Sequence, residues 1–172
     1  MTAGELTIEV ADRVTVLDVD GGAHHELPVG PLSLVDDVLG AHDPPRPADL
    51  TNALGLVADH LDDVLIEAPS LLAPADVAIA GDHAEQLARV ERGSEQLPDA
   101  LRLRRDDIDE VFRTVATESR DDRRYNPGLG GAYVDAIVGT CCVVLAIIRR
   151  LELDDVAVRV AAGGRAPEAA TP

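Results

Sequence analysis

The sequence predicts an α/β domain whose mixed sheet starts as a three-strand antiparallel meander and continues with parallel strands separated by helices. Three observations carry this expectation. The first thirty residues contain strand-like runs, with Asp20-Gly21-Gly22 as a tight turn inside them. The middle of the chain is dominated by apolar residues at helical spacing. Two short apolar runs, 77–80 and 156–160, have the look of buried parallel strands.

Taken in order, residues 5–10 alternate, 14–19 are β-branched, and 23–29 make a short third strand ending at Gly30. Leu32, Val35, Val38 and Leu39 form a short amphipathic helix, broken by Gly40 and by Asp43-Pro44-Pro45-Arg46-Pro47. Leu50, Leu54, Val57, Leu61, Val64 and Leu65 then share one helical face, with Asp59, Asp62 and Asp63 toward the other; Pro69 closes this helix.

The run 77–80, between Asp76 and Gly81, leads into a helix over 84–92. After a loop, Leu101 and Leu103 mark a brief extended piece. Asp107-x-x-Glu110 has the form of a capping box, opening a helix with Ile108, Val111, Phe112 and Val115 inward. Asn126-Pro127-Gly128 interrupts the chain. A helix over 132–151 is apolar nearly all round and so belongs inside the core. Residues 1–160 are expected to be a single module. The tail 161–172, made of small residues, Gly and Pro, is expected to be disordered.

Composition narrows the function. With 172 residues, 46% apolar, one Phe, two Tyr and no Trp, the core must be aliphatic. The aromatic platforms on which bases stack are lacking. There are 32 acidic residues, 21 of them Asp, against 15 basic ones, all Arg, for a net charge of −17. Such a charge repels itself unless salt screens it, which points to a salt-adapted protein. It argues against nucleic acid and membrane as partners, since both favour a basic face. Cys141 and Cys142 are adjacent within an apolar helix and read as small core residues. With no leader pattern and an apolar stretch over 136–148 too short to span a bilayer, the expected location is cytoplasmic.

The order of elements resembles the ribonuclease-H-like fold of the actin-like ATPase superfamily, and four segments sharpen the resemblance. They are Leu27-Pro28-Val29-Gly30, then Asp43-Pro44-Pro45-x-Pro47, then Ile79-Ala80-Gly81-Asp82-His83-Ala84-x-x-Leu87-Ala88. The fourth is Pro127-Gly128-Leu129 with Asp135-Ala136-Ile137 after it, leading on to Leu151-Glu152-Leu153-Asp154-Asp155-Val156. Over about residues 5–160 this ordered set is similar to the second core domain of Ppx/GppA phosphatases, the exopolyphosphatases and guanosine-pentaphosphate phosphatases. The resemblance implies two such domains facing across a cleft, glycine-rich loops around phosphate, and a water-activating glutamate on the first domain. No counterpart of that first domain is expected in this chain.

The departures from the family are informative. Its first glycine-rich loop is matched by Ala11-Asp12-Arg13, an acidic turn where relatives present amide donors. Its second, a Gly-Gly-Thr before a helix, is matched by Gly81, Asp82 and His83. Asp82 is expected to cap that helix with its own carboxylate, occupying donors that a phosphate would use. A like charge at about 4 Å costs about 4 kcal/mol at an effective dielectric of 20. One neutral hydrogen bond returns only about 1 kcal/mol. Two family arginines are matched by Ser33 and Tyr133. The resemblance thus implies a retained core and a lost phosphate site, with no catalytic residue and no cofactor.

Other polar groups read as ordinary surface. Adjacent histidines on a strand point to opposite faces, so His24-His25 with His42-Asp43 makes a poor metal set. His60 reads as a partly exposed helix residue. Asp106-Asp107-x-Asp109-Glu110 and Asp121-Asp122 read as solvated helix ends, while Arg120, Arg123 and Arg124 could hold an anion or, the favoured expectation, pair with Asp121 and Asp122. The leading expectation is a catalytically inactive Ppx/GppA-related module. It would meet itself or another protein chain through the face that the missing first domain would cover. Two alternatives stand beside it: half of a phosphatase completed by a partner chain, or a phosphate or nucleotide sensor without turnover.

Overall fold

The N-terminal runs pair as the alternation predicts, in a computed structural model that describes residues 4–20 and 22–161. Strand β1 (Glu5–Val10) lies antiparallel to β2 (Thr15–Val19), which lies antiparallel to β3 (His24–Leu27). Beyond β1 come β4 (Asp76–Ala80) and β6 (Asp155–Val158), both parallel to it, so the order is β3-β2-β1-β4-β6-β5. The last of these, β5 (Leu101–Arg104), is the brief extended piece. It closes the edge antiparallel to β6, with Leu103 opposite Val156.

The helices are α1 (Pro31–Asp37), α2 (Pro47–Glu67), α3 (Asp82–Arg92), α4 (Arg105–Thr117), α5 (Arg120–Arg123) and α6 (Ile137–Arg150). Pro47 stands at the first turn of α2, where its missing N–H costs nothing. Asp49 Oδ2 accepts the Arg46 N–H at 2.9 Å and fixes that start. Ala53, Val57, Leu61 and Leu65 form the buried stripe of α2, four residues apart. Every residue of α6 from Ile137 to Ile148 is buried, including both cysteines. Burial pushes the Cys142 thiol up to about 12 and the Cys141 thiol well above the ordinary range.

Several boundaries differ from expectation for local reasons. Helix α6 starts five residues late, because 131–133 make a separate 3-10 turn first. Helix α3 starts at Asp82, directly after Gly81. Helix α4 starts two residues before Asp107, which sits inside the first turn and does not act as the cap. The Arg105 N–H bonds the Asp154 carbonyl at 2.8 Å, so the approach to β6 sets this start. Gly128 has φ +84°, and a Cβ there would lie 2.2 Å from the Arg89 carbonyl oxygen, which explains the break at Asn126-Pro127-Gly128. Of the tail expected over 161–172, residues 162–172 lie outside the described residues. Ala161 donates its N–H to Glu85 Oε1 at 2.8 Å. No helix among the described residues is long and apolar enough to cross a membrane.

One face of the sheet carries the core: Leu6, Ile8 and Val10 of β1 are buried, with Val77 and Ile79 of β4 and Val156 and Val158 of β6. The residues between them point to the other face. There Glu9, Asp18, His24, Glu26, Arg102 and Arg104 are exposed, while Thr7, Ala80 and Ala157 are half-buried.

Candidate functional site: two loops at the ends of β1 and β4

Parallel pairing of β1 with β4, Glu9 beside Ala80, brings the turn after Val10 and the loop after Ala80 to the same edge of the sheet. Gly81 is held at φ +96°, and a Cβ there would stand 2.9 Å from the Val10 carbonyl oxygen. Only glycine lets the two loops approach so closely. The Ala11 N–H closes its turn on the Val14 carbonyl at 3.1 Å, and the Asp12 carbonyl accepts the Leu32 N–H at 2.8 Å.

The expectation for Asp82 is corrected here. Asp82 is the first residue of α3, exposed, and its carboxylate makes no capping bond. The carboxylate that reaches into the loop pair is Asp12. Its Oδ1 lies 2.7 Å from His83 Nε2; the imidazole side chain is 5% exposed and the Asp12 side chain 68%. On the other side of the ring, Nδ1 lies 3.4 Å from Thr140 Oγ1, whose hydroxyl donates to the Ala136 carbonyl at 3.1 Å. The Tyr133 ring packs edge-on against His83, centroids 5.4 Å apart at 87°. Burial, then the carboxylates of Asp82 and Asp12, hold the Tyr133 phenol above its ordinary value, so it keeps its proton at neutral pH.

Three positions singled out separately in the sequence, Asp12, His83 and Tyr133, therefore form one cluster. Ser33 stands apart from it. Its Oγ accepts the Gly30 N–H at 2.7 Å and donates to the Gly30 carbonyl at 2.8 Å, fixing the start of α1. Arg13 turns outward to Asp36 at 2.7 Å, both side chains largely exposed. The loop before α6 is tied to α3 by Gln86 Oε1, which accepts the Gly130 N–H at 2.9 Å. Of the charges at the rim, Asp82 makes no ion pair among the described residues, and the Arg13 guanidinium is committed to Asp36.

The other candidates disperse. His24 bonds Asp18 at 2.8 Å on the exposed side of β3, which raises its pKa, while His25 Nε2 on the opposite side is buried with no hydrogen-bond partner among the described residues. His42 bonds Asp49 at 2.8 Å, and His60 is half-buried on α2. No three His, Cys, Asp or Glu side chains among the described residues are grouped to hold a metal ion.

The arginine group is also corrected. Arg120 pairs with Asp135 at 2.5 Å instead of Asp121 or Asp122, while Arg124 does approach Asp121, at 3.8 Å. Arg123 is buried and spans three carbonyl oxygens, those of Val115, Val134 and Glu118, at 3.0–3.1 Å. Nothing in the local sequence marks that role, because its partners are main-chain atoms, two at the C-terminal end of α4 and one just after the 131–133 turn.

No family model matches this sequence, and no curated protein matches it. Solved structures do. The chain superposes on the crystal structure of an exopolyphosphatase-like protein with a TM-score of 0.81 at 16% identity, covering 92% of this chain and 55% of that one. For the Aquifex aeolicus PPX-GPPA enzyme the TM-score is 0.78 at 15% identity, covering 92% and 54%. For an exopolyphosphatase from Cytophaga hutchinsonii it is 0.71 at 16%, again 92% and 54%. The chain spans about half the length of each of these proteins, and its fold is that of one part of an exopolyphosphatase or Ppx/GppA structure.

Proposed function

We propose that this chain is a Ppx/GppA-related module without phosphatase chemistry of its own, working in the cytoplasm as a structural or interaction partner. The observation that carries this reading is the 2.7 Å contact between Asp12 and His83. It places a carboxylate on the imidazole at the first turn of α3, where the resemblance implies phosphate. An incoming phosphate must displace that carboxylate and then sit beside Asp82. At an effective dielectric of 20, each like charge at about 4 Å opposes it by about 4 kcal/mol. In this reading the module meets itself or another protein chain through the end carrying these loops. Titration calorimetry with orthophosphate and with polyphosphate tests it: binding weaker than millimolar is expected, and micromolar binding contradicts it.

A second reading, half of a phosphatase completed by another chain, is favoured by coverage of only 54–55% of the matched structures. Mixing the chain with a separately produced first domain of a Ppx/GppA phosphatase distinguishes the two. Orthophosphate released only by the mixture supports the second reading, and none supports the first.

A further inference from the structure

A buried guanidinium ordinarily faces a carboxylate, because taking a full charge out of water is costly unless an opposite charge stands against it. Arg123, 4% exposed, makes no ion pair among the described residues. A guanidinium has five N–H groups. Three of these go to the carbonyls of Val115, Val134 and Glu118, which leaves two. Burial pulls the Arg123 pKa below its ordinary value against the opposing influence of the Asp43, Asp135 and Glu118 carboxylates. The charge is thus desolvated without being matched.

The same side chain lines a cavity of about 120 Å3 between α1, the 39–41 turn, α5 and the start of α6. Val35, Leu39, Pro45 and Val138 supply its apolar wall. The volume equals that of about four water molecules, or of one small organic molecule. Most of the other polar groups around it are already committed. Arg120 and Asp135 neutralise each other at 2.5 Å, and His42 is bound to Asp49 at 2.8 Å. Asp43 is the exception. Its Oδ1 accepts the Arg120 main-chain N–H at 2.8 Å, while its Oδ2 has no hydrogen-bond partner and the carboxylate no ion pair among the described residues. The cavity is therefore flanked by one unmatched positive charge and one unmatched negative charge, too far apart to pair directly.

We propose that this cavity binds a small dipolar ion, an α-amino acid of about the size of alanine. Its carboxylate takes the two remaining N–H groups of Arg123, its ammonium meets Asp43, and its short side chain lies against Leu39 and Val138. A simple anion brings like charge toward Asp43 and Asp135, and a simple cation brings like charge toward Arg123. A molecule carrying both charges is met on both sides. This inference rests on Arg123 and Asp43 and is independent of the closed loops.

The test is a 1H–15N NMR titration of the whole chain with L-alanine. Saturable shifts are expected at the amides of Leu39, Gly40 and Val138, with half-saturation at about 1–10 mM. Acetate and methylammonium, which carry one charge each, are expected to give no saturable shifts there at the same concentrations. L-leucine, too large for the cavity, is expected to bind at least about tenfold more weakly. Asp43→Asn keeps an oxygen for the Arg120 N–H and removes the charge, and is expected to weaken alanine by about tenfold or more. Asp63→Asn, the same change of charge on the exposed side of α2, is expected to leave binding unchanged. The proposal is overturned if alanine gives no saturable shift, for the cavity then holds water alone. It is overturned equally if acetate, methylammonium or leucine matches alanine, or if Asp63→Asn weakens binding as much as Asp43→Asn. The ligand comparisons use the unaltered chain, so a folding defect in Asp43→Asn does not affect them. Phosphate titration is read separately, so failure here and failure of the closed-loop reading are distinguishable.

Discussion

Helix α6 and the loop pair touch at Thr140, and opposite physics holds them. In α6 the twelve residues from Ile137 to Ile148 are all buried, so its position is fixed by many weak apolar contacts from every side. At the loop pair a largely exposed carboxylate is held to a buried imidazole by one hydrogen bond. The difference teaches that the two regions answer to substitution differently. A distributed core tolerates change at many positions while keeping its shape, whereas a site made of a few polar contacts changes character with one or two substitutions. Identity of only 15–16% at TM-scores of 0.71–0.81 fits that division.

The sharpest break of this comparison comes from the core side. Leu145→Ala, at a fully buried position on α6, is expected to cost about 2–5 kcal/mol of unfolding free energy in urea titration. Arg123→Met comes next. It leaves three carbonyl oxygens without their donor, with an expected loss of about 2–4 kcal/mol. Asp12→Ala should cost only about 1 kcal/mol, since most of its side chain is already in water. If Asp12→Ala destabilises as much as Leu145→Ala, the loop pair is part of the core and the contrast fails.

The side governed by periodicity was legible in the sequence, and the side governed by single contacts much less so. The apolar spacing of Val57, Leu61 and Leu65 identified α2, and the unbroken apolar run identified α6 as buried, because both signals repeat over many residues. The candidate positions Asp12, His83 and Tyr133 are each visible in the sequence, but their meeting is not. It depends on the parallel pairing of β1 with β4, which unites residues 71 positions apart. Asp82, the residue the sequence offers as cap, stands one position inside α3 with Gly81 at the cap, since propensity says which residue types can cap and not where the helix starts. Arg123 carried no signal at all, for its partners are main-chain oxygens.

Two solvent variables give smaller effects. Net charge of −17 makes self-repulsion the main long-range term, so the thermal midpoint is expected to rise as KCl increases from low to molar concentration. A midpoint insensitive to salt would remove the salt-adaptation reading. Asp76, hydrogen-bonded first by Arg102 and then by the Val77 N–H, has its pKa lowered, as does Asp49 by the Arg46 N–H and His42. A depressed folded-state pKa contributes stability that is present above the unfolded value, about 3.9. That contribution is lost as pH falls through the folded value. The urea midpoint should therefore fall in acid, less steeply for Arg102→Gln than for the unaltered chain.

Orthophosphate release from polyphosphate by the purified chain in molar salt is the direct measurement of the central claim. None above the uncatalysed background is expected. Release that disappears in Asp12→Ala or His83→Ala, with the fold intact by circular dichroism, would mean that the paired loops work as an active site, contrary to this account.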